Sequence, residues 1–161
     1  MSPITQTPIP LSDEWGTPAD LFAVLDAEFH FNLDPAARRW NAKCRAFFTA
    51  DVDGLACRWR GRVWLNPPYS EVAMWLAKAR TSVQSGDAQL VVALVPCTPD
   101  RRWWSEHVEG VAEVRPLTRR TLRTGRVHFV REDGTSGRAP FPSCLLIYRA
   151  EREAAKEAER G

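Results

Sequence analysis

Asparagine, two prolines and tyrosine stand in a row at positions 66–69. Val63-Trp64-Leu65 before them reads as the end of a β-strand, which the prolines stop abruptly. Two proline rings hold the turn extended and fix the direction of the Asn66 side chain and the Pro67 carbonyl. Both oxygens can accept hydrogen bonds from one planar NH2 group, and Tyr69 offers a flat face on which a base could stack. An amino nitrogen conjugated to a ring is a poor nucleophile, because its lone pair is delocalised. Two acceptors gripping its hydrogens favour pyramidalisation, aim the lone pair at an electrophilic methyl and stabilise the positive charge that develops on nitrogen. No covalent enzyme intermediate is needed, and a base inside a duplex would have to be flipped out to reach such a pocket. The bland reading of Asn66, Pro67, Pro68 and Tyr69 is a proline-rich turn after an edge strand; the strand before and the capped helix after favour the chemical one.

The surrounding elements must position this motif. Thr17-Pro18-Ala19-Asp20 is a helix start, with Thr17 as N-cap, Pro18 at the first helical position and Asp20 in the first turn. Leu21, Phe22, Leu25 and Phe29 follow at helical spacing. Residues 31–34 read as a short strand ending in Asp34, and residues 35–40 as a helical stretch. A second short strand is expected over residues 45–49, ending near Asp51, and a third over 62–66. Ser70 can cap a helix over residues 71–83, and Gly86 closes the loop after it. Residues 89–95 form the strongest strand, apolar enough to lie centrally in a sheet covered on both faces. Thr98-Pro99-Asp100 caps a helix carrying Trp103 and Trp104, expected to divide between core and surface. Residues 111–116 read as a strand, and 125–131 and 143–149 as two strands joined in a hairpin. The alternation predicts an α/β layered domain with a C-terminal antiparallel pair. Ligands in such sheets bind beyond the carboxyl ends of strands, where Asp34 and Asn66 stand.

Composition bounds the rest. The chain has 161 residues, 44% hydrophobic and 26% charged, a globular balance that excludes disorder, collagen and coiled coil for the whole. No apolar run approaches the roughly 20 residues of a membrane helix. Residues 1–12 lack the basic start and apolar block of a signal peptide, so a cytoplasmic protein is expected. Four cysteines form no CxxC pair, which argues for reduced thiols and no metal site. The net charge of +2 says little about nucleic acid. Its distribution says more: Arg115, Arg119, Arg120, Arg123 and Arg126 fall within twelve positions, interleaved with threonines that can donate to phosphate. The plain reading of such a charge run is a solvated basic hairpin.

Asn66-Pro67-Pro68-Tyr69 matches the (D/N/S)PP(Y/F) signature of amino-methyltransferases that use S-adenosylmethionine. The chain resembles one subgroup, the phage DNA N-6-adenine methyltransferases (Dam-type). The likeness runs through Asp13-Glu14-Trp15-Gly16-Thr17-Pro18, Phe31-Asn32-Leu33-Asp34-Pro35-Ala36-Ala37, Asn41-Ala42-Lys43-Cys44, Asp53-Gly54-Leu55 and Val63-Trp64-Leu65-Asn66-Pro67-Pro68-Tyr69-Ser70. It continues through Arg126-Val127-His128-Phe129 and Ala139-Pro140-Phe141-Pro142-Ser143. The order and spacing of these pieces are more specific than any one of them.

The resemblance implies a compact Rossmann-like class I methyltransferase sheet with helices on both faces. It implies one methyltransferase domain over residues 13–150; the polar, proline-punctuated residues 1–12 read as a flexible leader, and the charged tail over 151–161 as a helix or frayed coil. By the same resemblance Trp15, Thr17 and Pro18 hold the methionine end of the cofactor, with the Thr17 hydroxyl and the helix N-terminus near its carboxylate. Asp34, Pro35 and Ala36 belong to the cofactor loop after the first strand, which departs from the general form in having no glycine. Asp51 or Asp53 accepts from the ribose hydroxyls, or serves as a turn residue before Gly54. Only about ten residues separate Asp53 from the next strand, so one strand and helix of the full fold are missing or reduced to a loop. No separate target-recognition domain is expected, so the resemblance implies that DNA contacts come from loops, and the stretch with Arg115, Arg119, Arg120, Arg123 and Arg126 is the candidate DNA-facing loop. The implied reaction is transfer of a methyl from S-adenosylmethionine to a flipped adenine in phage or prophage DNA, by a monomer or weak homodimer. Rival readings are a glutamine or RNA amino-methyltransferase, and a catalytically silent DNA- or cofactor-binding module.

Overall fold

The computed structural model describes residues 16–160. The expected leader and Trp15 lie outside the described residues. In chain order the elements are α1 (Ala19–Phe29), β1 (Leu33–Asp34), β2 (Ala46–Phe47), a 3-10 turn (Gly54–Ala56), β3 (Gly61–Leu65), a second 3-10 turn (Tyr69–Glu71) and α2 (Val72–Gln84). They continue as β4 (Ala88–Pro96), α3 (Arg102–His107), β5 (Glu113–Pro116), β6 (His128–Val130), β7 (Ser136–Arg138), β8 (Ser143–Arg149) and α4 (Glu151–Arg160).

Six strands form one sheet in the order β2-β1-β3-β4-β8-β5. The first four are mutually parallel, and β8 runs antiparallel between β4 and β5. β4 is its axis, because every residue from Leu90 to Val95 is buried. Leu90, Val92 and Leu94 face α1, packing with Leu21, Leu25 and Phe29. Val91, Ala93 and Val95 face the other way, toward Trp75, Leu76 and Ala79 of α2 and Trp104 of α3. A strand buried on both faces must be apolar without alternation, and this one is. Trp104 is buried, and Trp103 is half-buried against the same core rather than lying on the surface, so the expected division is only partial. Between Asp53 and β3 the chain makes only the first 3-10 turn, with no strand or helix of a longer kind.

Several local expectations need correction. Thr17 does not cap α1: Pro18 precedes the helix, and no side chain caps it. Ser70 lies in the second 3-10 turn, and the residue before α2 is Glu71. Thr98-Pro99-Asp100 forms a turn ahead of α3, which starts after Arg101 without a side-chain cap. Residues 35–40 are not helical. Asn41 Oδ1 accepts from the Arg38 amide at 2.7 Å, and the Ala37 amide donates to the Phe48 carbonyl at 3.0 Å, so the backbone is held in turns across β2. The C-terminal hairpin is β6–β7, not 125–131 with 143–149. Asp133 Oδ1 accepts from the amide and hydroxyl of Thr135, and Gly134 has φ +86°, so the chain reverses there and frees β8 for the central sheet. The charged tail is α4, docked by an ion pair of 2.8 Å between Glu153 and Arg62 of β3.

Candidate active site

A cleft of about 640 Å³ opens beyond the carboxyl ends of β1 and β3, a size usual for a small-molecule site. It is lined by Thr17, Asp34, Pro35, Ala36, Asp51, Asp53, Asn66, Pro67, Pro68 and Tyr69. Segments far apart in sequence thus meet in one place. Pro18 does not line the cleft; its carbonyl accepts from the Phe22 amide in the first turn of α1.

Asp34 ends β1 with 4% of its surface exposed. Its Oδ2 accepts from the Lys43 amide at 3.0 Å. Burial still dominates and raises its pKa from 3.8 to about 6, against the lowering pull of the Lys43 and Ala36 amides and the Lys43 charge. Lys43 also lines the cleft, and burial lowers its ammonium while Asp34 pulls it back up. The floor of the cleft is a close backbone contact. A Cβ on Gly54 would stand 2.0 Å from the Pro35 carbonyl oxygen, so only glycine lets the 3-10 turn reach the loop after β1. Trp59 Nε1 pins the turn from beneath by donating to the Gly54 carbonyl at 2.8 Å.

Asp53 adopts φ +56°, and its side chain accepts from the Leu55 amide at 3.2 Å, which gives it a capping role. Asp51 is exposed at the rim. Asn66 is half-buried, and its Nδ2 donates to Thr17 Oγ1 at 3.2 Å. Thr17 is 2% exposed and is held by its neighbour: Gly16 exchanges two backbone hydrogen bonds with Val130, of 2.7 and 2.9 Å. Tyr69 meets Phe129 and Phe141 edge-on, with centroids 6.3 and 5.8 Å away. Burial pushes its phenol well above the ordinary range, so it stays protonated and offers surface rather than acid–base chemistry.

None of the five arginines of the candidate DNA-facing loop lines the cleft. Arg115 lies on β5, ion-paired with Glu28 at 2.7 Å and stacked over Phe29 at 5.3 Å, so it ties α1 to the sheet. Arg119, Arg120 and Arg123 are exposed on the loop between β5 and β6, and Arg126 is half-buried. Sequence reasoning missed Lys43, Gly54, Arg38, Arg39 and Trp40 as lining residues. Gly54 read as a turn glycine, and no spacing rule links it to Pro35. Among the described residues no cluster of His, Cys, Asp or Glu could hold a metal ion, and no helix is long and apolar enough to cross a membrane.

Comparison with known proteins shows what the chain is similar to. The chain is 30% identical over 148 residues to a DNA N-6-adenine-methyltransferase of Escherichia phage T1, an alignment covering 84% of this chain and 60% of that protein. It is also 30% identical over 109 residues to a DNA N-6-adenine-methyltransferase of Haemophilus phage HP1 (strain HP1c1), covering 66% of this chain and 62% of the relative. The chain therefore spans about three-fifths of the length of the curated relatives it matches. A family model described as DNA N-6-adenine-methyltransferase (Dam) matches residues 4–157, which take in every wall of the cleft. With the motif, the cleft and the match spanning the same residues, the chain belongs to the DNA N-6-adenine-methyltransferase (Dam) family.

Proposed function

We propose that this protein transfers a methyl group from S-adenosylmethionine to the N6 amino nitrogen of adenine in DNA. The observation that carries the reading is the meeting, in one cleft, of the Asn66-to-Tyr69 motif with the buried acid Asp34. The sheet order supports a class I methyltransferase architecture from which one strand and helix have been reduced to the Gly54–Ala56 turn.

The residues present fit S-adenosylmethionine. A carboxylate as buried as Asp34 favours a cationic partner, and the cofactor's ammonium is one. Exposed Asp51 suits the ribose hydroxyls, since the Asp53 carboxylate already caps its own turn. When bound, the cofactor supplies an electrophilic methyl on a sulfonium. The protein's part is positioning and electrostatics. Asn66 Oδ1 and the Pro67 carbonyl accept the two hydrogens of the adenine amino group, favouring a pyramidal nitrogen and stabilising the charge it gains. The Tyr69 face receives the flipped ring. The excess proton leaves after transfer, which requires no strong base in the cleft. Arg119, Arg120 and Arg123 serve as backbone contacts for the DNA on either side of the flipped base. The setting is a host cytoplasm, and the acting unit a monomer or weak homodimer.

The test is product identification. Methylation-free DNA, S-adenosylmethionine and protein are incubated at low salt, and the digested nucleosides are examined by mass spectrometry. N6-methyldeoxyadenosine is expected with the wild type. With Asn66→Ala the yield should fall at least about a thousandfold, beyond the loss of a single oxyanion-type donor, while calorimetric cofactor binding stays within threefold. Product at an undiminished rate from the variant would remove Asn66 from the mechanism, and methyl-RNA or methyl-glutamine product would redirect the substrate.

A further inference from the structure

Thr17 is buried, does not cap its helix, and makes one side-chain contact of consequence: Oγ1 accepts from Asn66 Nδ2. Its station is over-determined. Gly16 on one side is bonded twice to Val130, and Pro18 on the other opens α1. A Cβ on Gly16 would stand 3.2 Å from the Trp40 ring, so the segment is seated against that side chain as well.

An asparagine amide has two chemically opposite ends within one planar group. Rotated one way it presents an acceptor, and rotated the other way a donor. An adenine amino group brings two donors, so only the acceptor end is productive; the other end sets donor against donor. A hydroxyl can accept from Nδ2 or donate to Oδ1; here Thr17 Oγ1 takes the accepting role, which holds the amide in the productive rotation. The backbone cannot do this, since Pro67 and Pro68 hold the main chain and leave the side-chain amide torsion to its neighbours.

We infer that Thr17 is a positioning residue that sets the rotation of the Asn66 amide, turning its oxygen to the adenine. The inference rests on the reading under Proposed function for its consequence in catalysis, and on the Thr17–Asn66 hydrogen bond alone for its geometry. It also gives Thr17 a role other than holding the cofactor's carboxylate. The preceding segment, the hairpin and the catalytic motif are thereby joined in one unit.

The sequence contains three asparagines, at 32, 41 and 66, so protein labelled with 15N-asparagine gives a side-chain amide spectrum in which Asn66→Ala identifies the relevant pair. Thr17→Val keeps the shape and removes the acceptor; Thr17→Ser keeps the acceptor and removes the methyl. Exchange of the Asn66 amide protons with water should be at least tenfold faster in Thr17→Val than in wild type, and within threefold of wild type in Thr17→Ser. In parallel, kcat for DNA methylation should fall at least tenfold in Thr17→Val at saturating substrates and recover in Thr17→Ser. The Kd for S-adenosylmethionine should stay within threefold in both. Unchanged amide exchange in Thr17→Val would overturn the inference. So would equal loss in the two variants, which indicates packing, or a raised cofactor Kd with normal kcat, which indicates a cofactor contact. Protected Asn66 protons in a wild type that makes no methyladenine would support the orientation and sink the adenine reading.

Discussion

A carboxyl group with 4% of its surface exposed resists ionisation, and at Asp34 burial outweighs the amide donors of Lys43 and Ala36. Its pKa of about 6 lies above the ordinary 3.8, so the folded chain holds the proton more tightly than the unfolded one. Below about pH 3 both states are protonated and the group costs nothing. As pH rises through 6 the penalty grows to about 3 kcal/mol, at roughly 1.4 kcal/mol for each pH unit. Asp34→Asn should therefore melt several degrees above wild type at pH 8, with the difference shrinking toward zero at about pH 3, as thermal unfolding across pH will report. The same acid reads out in binding. A cationic group that requires ionised Asp34 must first displace its proton, so cofactor affinity should fall about fivefold between pH 6 and pH 5. Calorimetry showing a flat profile over that range would take the ammonium site away from Asp34. The acid itself was legible in the sequence, because it ends a strand beside the loop where ligands gather. Lys43 was not, because its nine-residue separation from Asp34 corresponds to no regular element and only the folded turns bring its amide back.

Among the elements, the long and strongly patterned ones were readable. Residues 89–95 anticipated β4 (Ala88–Pro96), and 71–83 anticipated α2 (Val72–Gln84), because burial on two faces or one leaves an apolar pattern that local chemistry does not disturb. The failures are short segments decided by side-chain-to-backbone bonds. Asn41 captures the Arg38 amide and prevents a helix over 35–40, and the Asp133-Gly134 turn selects β7 as the partner of β6. The Asp-Gly pair is a hairpin signal that the sequence did contain. The loop after β1 carries no glycine of its own, yet the backbone comes close to it. The close approach is met from the opposite segment, where Gly54 accommodates the Pro35 carbonyl. Gly54→Ala should push the turn and the loop apart, costing roughly 1–3 kcal/mol as overpacking does and weakening cofactor binding with it. Urea unfolding gives the first effect and calorimetry the second. An unchanged midpoint would mean that the turn yields without strain.

Across the whole molecule, the charges divide by task. Arg62 and Arg115 are used inside the protein, joining α4 to β3 and β5 to α1. Arg119, Arg120 and Arg123 remain exposed on the loop between β5 and β6. The arginine cluster was visible in the sequence, but the assignment of Arg115 to Glu28 was not, since the two are 87 positions apart. Arg120→Ala with Arg123→Ala should weaken DNA binding while leaving cofactor binding intact. If both contact phosphate, the slope of log K against log salt should shrink by about 2, near 0.9 for each contact. Fluorescence anisotropy across a salt series will show it, and an unaltered slope would move the DNA path elsewhere. The bridge between Gly16 and Val130 has a further consequence at this scale. It closes a loop of more than a hundred residues, the kind of contact whose entropy must be met late in folding. On a ribosome, the segment that carries Thr17 emerges before β6 and cannot reach its station until β6 has followed it out. The growing chain is thus barred from assembling its cleft until synthesis has passed the hairpin.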